Sequence, residues 1–116
     1  MNTKTNEQTG SKLLESNFSD IGVSPNILKI LDKLSLTNPT PIQKQAIPVA
    51  LKGTDIVGIA QTGTGKTFAF GIPIIQKLLS SSGQALVLVP TRELALQVNE
   101  SIRKLADRLN ITTIVL

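Results

Sequence analysis

Ala60-Gln61-Thr62-Gly63-Thr64-Gly65-Lys66-Thr67 lies between two apolar runs, Asp55-Ile56-Val57-Gly58-Ile59 before it and Phe68-Ala69-Phe70-Gly71-Ile72 after it. The order reads as strand, glycine loop, helix, the context that gives a phosphate-loop pattern its specificity. Backbone amides can close on phosphate oxygens only where no side chain intervenes, and Gly63 and Gly65 leave that space open. A helix starting near Lys66 aims unpaired N–H groups and the positive end of its dipole at the same point. Lys66 is placed to reach the β- and γ-phosphates of a triphosphate, and the Thr67 hydroxyl to hold Mg²⁺. Ala60 stands at the first position of the pattern, where a small residue suffices. Two glycines alone read equally well as a plain strand–helix turn; the Lys-Thr pair after the second one separates the readings.

Outward from this loop the chain alternates strand and helix signals. Upstream, Ser24-Pro25 reads as an N-cap with proline at the first helical position, and Ile27, Leu28, Leu31 and Leu34 follow at helical spacing. Thr40-Pro41 repeats the start signal for a helix carrying Ile42, Ala46, Ile47 and Ala50, with Pro48 near its end and Gly53 as its stop. Downstream, the spacing predicts a helix from Lys66 to about Ser80, with Pro73 as a kink point. Ala85-Leu86-Val87-Leu88-Val89 is a continuous apolar run of the kind a parallel sheet buries on both faces. Pro90-Thr91 ends it and starts a helix to about Leu109, with Leu94, Val98, Ile102 and Leu105 on one face. Residues 111–116 read as a third strand. The expected class is α/β, a parallel sheet of three strands with flanking helices and right-handed crossovers. Ligands of such sheets sit at the C-terminal strand ends, so the glycine loop and Pro90-Thr91-Arg92 are expected on one rim.

Composition narrows the chemistry. The 116 residues allow one domain at most, and 41% apolar with 17% charged residues suits a buried core. Residues 1–17 are polar and read as a flexible tail; residues 18–116 read as the domain. Net charge is +4 and the isoelectric point about 9.7, compatible with a nucleic-acid partner, although the cations are scattered. Cysteine and histidine are both absent, which excludes disulfides, thiolate zinc sites and histidine acid–base catalysis. No apolar run approaches the roughly 18 residues of a membrane span, and the N-terminus lacks a secretory apolar core. A cytoplasmic location is expected.

Two further segments carry candidate chemistry. In Pro39-Thr40-Pro41-Ile42-Gln43, the glutamine amide offers a donor beside an acceptor, matching N7 and N6 of adenine, a pairing that could contribute roughly 1–3 kcal/mol of base discrimination. A surface glutamine in a first helical turn would look the same. In Pro90-Thr91-Arg92-Glu93-Leu94-Ala95, Thr91 could cap a helix or bind a phosphate, and Arg92 could pair with phosphate or with a carboxylate.

Taken together with Phe18, these three segments resemble the N-terminal part of a DEAD-box ATP-dependent RNA helicase: the Q motif at 39–43, motif I at 60–67 and motif Ia at 90–95. The resemblance runs from about Phe18 to Leu116. It implies a RecA-like P-loop NTPase domain, present here incompletely, that binds ATP and Mg²⁺ and couples ATP hydrolysis to local unwinding of RNA duplexes. It implies that Gln43 reads adenine and Phe18 supports the Q-motif pocket. Ala60, Thr62, Gly63, Thr64, Gly65, Lys66 and Thr67 would hold the nucleotide, Lys66 and Thr67 with catalytic roles and Thr67 at the metal. Pro90, Thr91 and Arg92 would touch the RNA backbone without sequence preference, with Glu93 holding that loop in shape. Ser35-Leu36 departs from the family's glycine and aromatic residue; Leu36 can cover an adenine face but not stack on it as a ring does.

The acidic tetrad that names the family does not occur in the sequence, nor does its Ser-Ala-Thr motif or the second RecA-like domain with its arginine fingers. Glu100 and Asp107 do not replace the tetrad, because neither ends an apolar strand. The 116-residue chain is therefore expected to bind nucleotide at most, with a marginal fold, since the tetrad strand borders the phosphate-loop strand in the family's sheet order. Two alternatives stay open: an inactive truncated product, and a P-loop ATPase of another class such as a DNA helicase.

Overall fold

The computed structural model describes residues 18–59 and 65–116. The tail at 1–17 and the loop residues Ala60, Gln61, Thr62, Gly63 and Thr64 lie outside the described residues. Four α-helices form the described body: α1 (Pro25–Lys33), α2 (Pro41–Leu51), α3 (Lys66–Ser80) and α4 (Arg92–Ala106). Short 3-10 turns at Ser19–Ile21 and Asp107–Leu109 precede α1 and extend α4.

Each helix start matches its sequence signal, with one exchange of roles. Ser24 occupies the N-cap position of α1, but its hydroxyl donates to Asn26 Oδ1 at 2.6 Å. The capping bond comes from Asn26, whose Oδ1 accepts from Ile27 N at 3.0 Å. Thr40 caps α2 with a reciprocal box: Gln43 N donates to Thr40 Oγ1, and Thr40 N donates to Gln43 Oε1. Thr91 caps α4 by accepting from Leu94 N at 3.1 Å. Pro48 and Pro73 stand inside α2 and α3 without ending either helix.

Helix α1 closes with a Schellman motif. Ser35 N donates to Asp32 O at 3.0 Å and Leu36 N to Leu31 O at 2.8 Å. The motif needs a left-handed residue at Ser35, whose φ is 61°. This is the position at which the family resemblance leads one to expect glycine.

The core lies between the helices. Ile27 and Leu31 of α1, Ile47 of α2, Ile72 and Ile75 of α3 and Leu105 of α4 are its largest fully buried side chains. Each contributes about 1.5–3 kcal/mol by leaving water. Phe18 joins the same cluster.

The expected parallel sheet does not form among the described residues. Segments 54–59, 82–89 and 111–116 carry no strand assignment, and no backbone hydrogen bond joins any two of them. A ladder needs backbone groups paired between strands, and among the described residues these segments make no such bonds to one another. The outcome corrects the expectation for the apolar run at 85–89, which is not buried on both faces: Leu86 and Leu88 are 75% and 83% exposed. Alternation survives all the same. Ile111, Thr113 and Val115 are half-buried, whereas Thr112, Ile114 and Leu116 are exposed. That period of two is what extended backbone gives when one side is turned inward, and Ile111 packs against the core.

Candidate nucleotide and nucleic-acid site

The site begins where α2 and α3 start side by side. Gly65 is the N-cap of α3 and takes the left-handed conformation at φ 87°. A side chain there would collide with Gln43 Nε2 and come within 2.8 Å of both Thr40 Oγ1 and Thr40 Cγ2. Absence of a Cβ therefore serves two ends, the backbone turn and the close approach of the residue 39–43 segment.

Gln43 makes that approach a bond. Its Nε2 donates to Gly65 O at 3.0 Å, while its Oε1 accepts from Thr40 N at 2.9 Å. The side chain is buried. A primary amide has two N–H donors and two acceptor lone pairs, so one of each is left uncommitted. That pair is what adenine recognition requires. The Gly65 carbonyl also accepts from Ala69 N at 3.1 Å, so the first turn of α3 and Gln43 share it.

Lys66 and Thr67 follow at the N-terminus of α3, with no acidic residue in the first turn to neutralise the positive end of the helix. Lys66 is exposed and, among the described residues, forms no ion pair. Thr67 is half-buried, and its hydroxyl has no hydrogen-bond partner among the described residues. A lone hydroxyl without nearby carboxylates suits Mg²⁺, which keeps most of its shell as water and phosphate oxygens. Thr67 is the one hydroxyl that the start of α3 offers to such an ion, and no cluster of three or more acidic side chains stands among the described residues.

Phe18 sits away from this surface. It is 4% exposed in the core, and the Ser19–Ile21 turn that follows it packs on α2. At the start of α4, Pro90, Thr91, Arg92 and Glu93 are all exposed. The Thr91 oxygen is engaged in its cap, and the Arg92 guanidinium has no carboxylate partner among the described residues. Asp107 lies at the far end of α4 and pairs with Arg103 at 3.1 Å. Among the described residues the structure brings Gln43, Gly65, Lys66 and Thr67 together; it does not bond the Pro90–Glu93 segment to them.

Among the described residues, no helix is long and apolar enough to cross a membrane.

The chain is similar to proteins of known family. The family model for DEAD/DEAH box helicase matches residues 40–116. An ATP-dependent rRNA helicase RRP3 from Meyerozyma guilliermondii is 48% identical over 99 residues, covering 84% of this chain and 21% of that protein. The chain thus spans about a fifth of that relative's length. Among solved structures, the RNA helicase Prp28 from Chaetomium thermophilum bound to ADP is similar, with a TM-score of 0.78 and 39% identity over 84% of this chain and 26% of that one. Dbp5 from S. cerevisiae bound to RNA and ADP BeF3 matches with a TM-score of 0.70 and 31% identity, covering 79% of this chain and 25% of that one. A DEAD box protein from Methanococcus jannaschii matches with a TM-score of 0.70 and 41% identity, covering 77% and 25%. The family match takes in both the Gln43 cap and the start of α3, the two elements that the Gly65 carbonyl joins, and the chain belongs to the DEAD/DEAH box helicases.

Proposed function

We propose that this chain supplies the nucleotide-binding part of an ATP-dependent RNA helicase, and that by itself it binds adenosine nucleotide without turning it over. The observation that carries the reading is the bond from Gln43 Nε2 to Gly65 O, which holds a base-reading amide against the start of the phosphate-binding helix. Gln43 reads adenine with its remaining donor and acceptor. Ala60, Thr62, Gly63, Thr64 and Gly65 wrap the phosphates, and Lys66 neutralises the β- and γ-oxygens. Thr67 would hold Mg²⁺, which would offset phosphate charge. Phe18 supports the pocket from the core. Pro90, Thr91, Arg92 and Glu93 meet the RNA sugar-phosphate backbone, so binding is independent of sequence and weakens with salt. A cytoplasmic location fits this role. Hydrolysis and unwinding need the acidic tetrad and an arginine finger, groups these 116 residues do not contain; the finger alone is worth about 10³–10⁵ in rate.

Titration of the chain with a fluorescent N-methylanthraniloyl ADP, with and without Mg²⁺, tests the proposal. Saturable binding is expected, weakened about tenfold or more in Lys66→Ala, because charge-assisted hydrogen bonds to phosphate contribute roughly 1.5–3 kcal/mol. Equal affinity in Lys66→Ala, or no binding by the parent chain, would sink the reading. RNA-stimulated phosphate release by the pure chain, abolished in Lys66→Ala, would overturn the statement that it does not turn over.

A further inference from the structure

Helices α2 and α3 are tied at two levels, start to start and end to end, and so run in the same direction. At their starts the tie is Gln43 of α2 on Gly65. Eleven residues along α3, about 16 Å at the helical rise, stands Gln76. Its Oε1 accepts from Ser24 N at 2.9 Å, and its Nε2 donates to Gly22 O at 3.0 Å. Both polar atoms of one side chain thus grip a backbone more than fifty residues away in sequence. Gly22 in turn abuts the end of α2: a Cβ built there would lie 3.1 Å from Leu51 Cδ1. The turn is held by its own backbone bonds, Gly22 N donating to Ser19 O at 3.2 Å and Val23 N to Phe18 O at 3.3 Å. The second tie therefore runs from α3 through the Gly22–Ser24 turn to Leu51 on α2.

A single tie lets two helices swing or slide about it; a pair at opposite ends fixes both register and rotation. Core contacts alone do this loosely, since apolar packing carries no direction. Hydrogen bonds to a rigid turn do it sharply.

We infer that Gln76 is a positioning residue for the nucleotide site: it fixes α2 against α3 from the far end, and so sets where the Gln43 amide stands relative to Gly65 and Lys66. The inference rests on the proposed nucleotide-binding role only for its effect on affinity; the effect on Gln43 stands apart from it.

The test measures amide hydrogen exchange and nucleotide affinity on the same chain. In Gln76→Ala, exchange is expected to quicken about fivefold, the equivalent of one ordinary hydrogen bond, at Thr40 and Gln43 as well as at Ser24. Affinity for N-methylanthraniloyl ADP is expected to fall by a similar factor, while affinity for inorganic pyrophosphate, which lacks a base, stays unchanged. Gln76→Glu keeps the acceptor for Ser24 N but turns a carboxylate toward Gly22 O; it should shift Thr40 and Gln43 as Gln76→Ala does while sparing Ser24, and it serves if the alanine variant fails to fold. Faster exchange at Ser24 alone, with Thr40, Gln43 and ADP affinity unmoved, would overturn the inference and make Gln76 a local clamp on its turn. An equal loss of ADP and pyrophosphate affinity would overturn it too, by showing general loosening. Should the parent chain bind no ADP, the nucleotide reading fails, and exchange at Thr40 and Gln43 still decides the positioning role.

Discussion

Replacing Gly65 with alanine perturbs the joint on which the proposed site rests. The residue sits at φ 87°, where an L side chain costs about 1–2 kcal/mol. Its Cβ would meet Gln43 Nε2 and, at 2.8 Å, two atoms of Thr40. None of these can step aside freely: Gln43 is buried and bonded at both ends of its amide, and Thr40 Oγ1 accepts from Gln43 N. Relief requires expelling the amide, which leaves a buried polar group unpaired at about 1–3 kcal/mol. Disturbing the Thr40 cap adds about 1 kcal/mol. Stiffening of the unfolded chain by alanine returns about 0.4–1 kcal/mol. The net expectation is a loss of about 2–6 kcal/mol, with the displaced amide the largest single contribution. Gly53 supplies the control, with φ 82° and nothing within 4 Å of the methyl group an alanine would add. Gly53→Ala should therefore lose only about 1 kcal/mol, the backbone cost alone. Urea unfolding followed by circular dichroism measures both. A Gly65→Ala loss equal to that of Gly53→Ala would show that Gln43 and Thr40 do not constrain Gly65, and the reasoning would fail.

Ser35→Gly should raise stability by a few tenths to about 1 kcal/mol, since glycine accepts the left-handed cap of α1 without strain; a lower urea midpoint would refute this. Thr91→Ala removes the cap bond to Leu94 N and should lower stability by about 1 kcal/mol, with faster amide exchange confined to the first turn of α4. Leu36→Phe should tighten adenosine-nucleotide binding by restoring a ring for the base, and unchanged or weaker affinity would refute it.

The helices are legible in the sequence because their signals are local. Thr40 and Thr91 cap where a threonine before a helical pattern is expected to cap, and the expected end near Leu109 coincides with the end of the Asp107–Leu109 turn. Ser24 misleads, because Asn26, two residues on, competes for the same amides. Helical spacing puts Leu94 on the buried face of α4, but it remains 37% exposed, lying well short of the core that Leu105 reaches. The sheet is legible only as three apolar segments; pairing depends on neighbours far along the chain, and local pattern does not supply them. The candidate site is proposed from residue type, and its bonding is not open to sequence reading. Gln43 reads from sequence as an amide facing a base, and its grip on Gly65 cannot be inferred from spacing. Gln76 belongs to none of the three motifs, yet it carries a signal: it falls on the stripe of Ile72, Ile75 and Leu79, where a polar residue asks for a partner.

The unpaired segments at 54–59, 82–89 and 111–116 bear on the order in which such a chain acquires structure during synthesis. Helical turns close over a few residues and lose little loop entropy, whereas parallel ladders wait for strands that are distant in sequence. On a ribosome adding about 5–20 residues each second, the helical layer can stand complete while Val57, Ile59, Leu86 and Leu88 still face water. For that interval the nascent chain is a helical scaffold with sticky, unzipped edges, open to pairing with a neighbouring polypeptide.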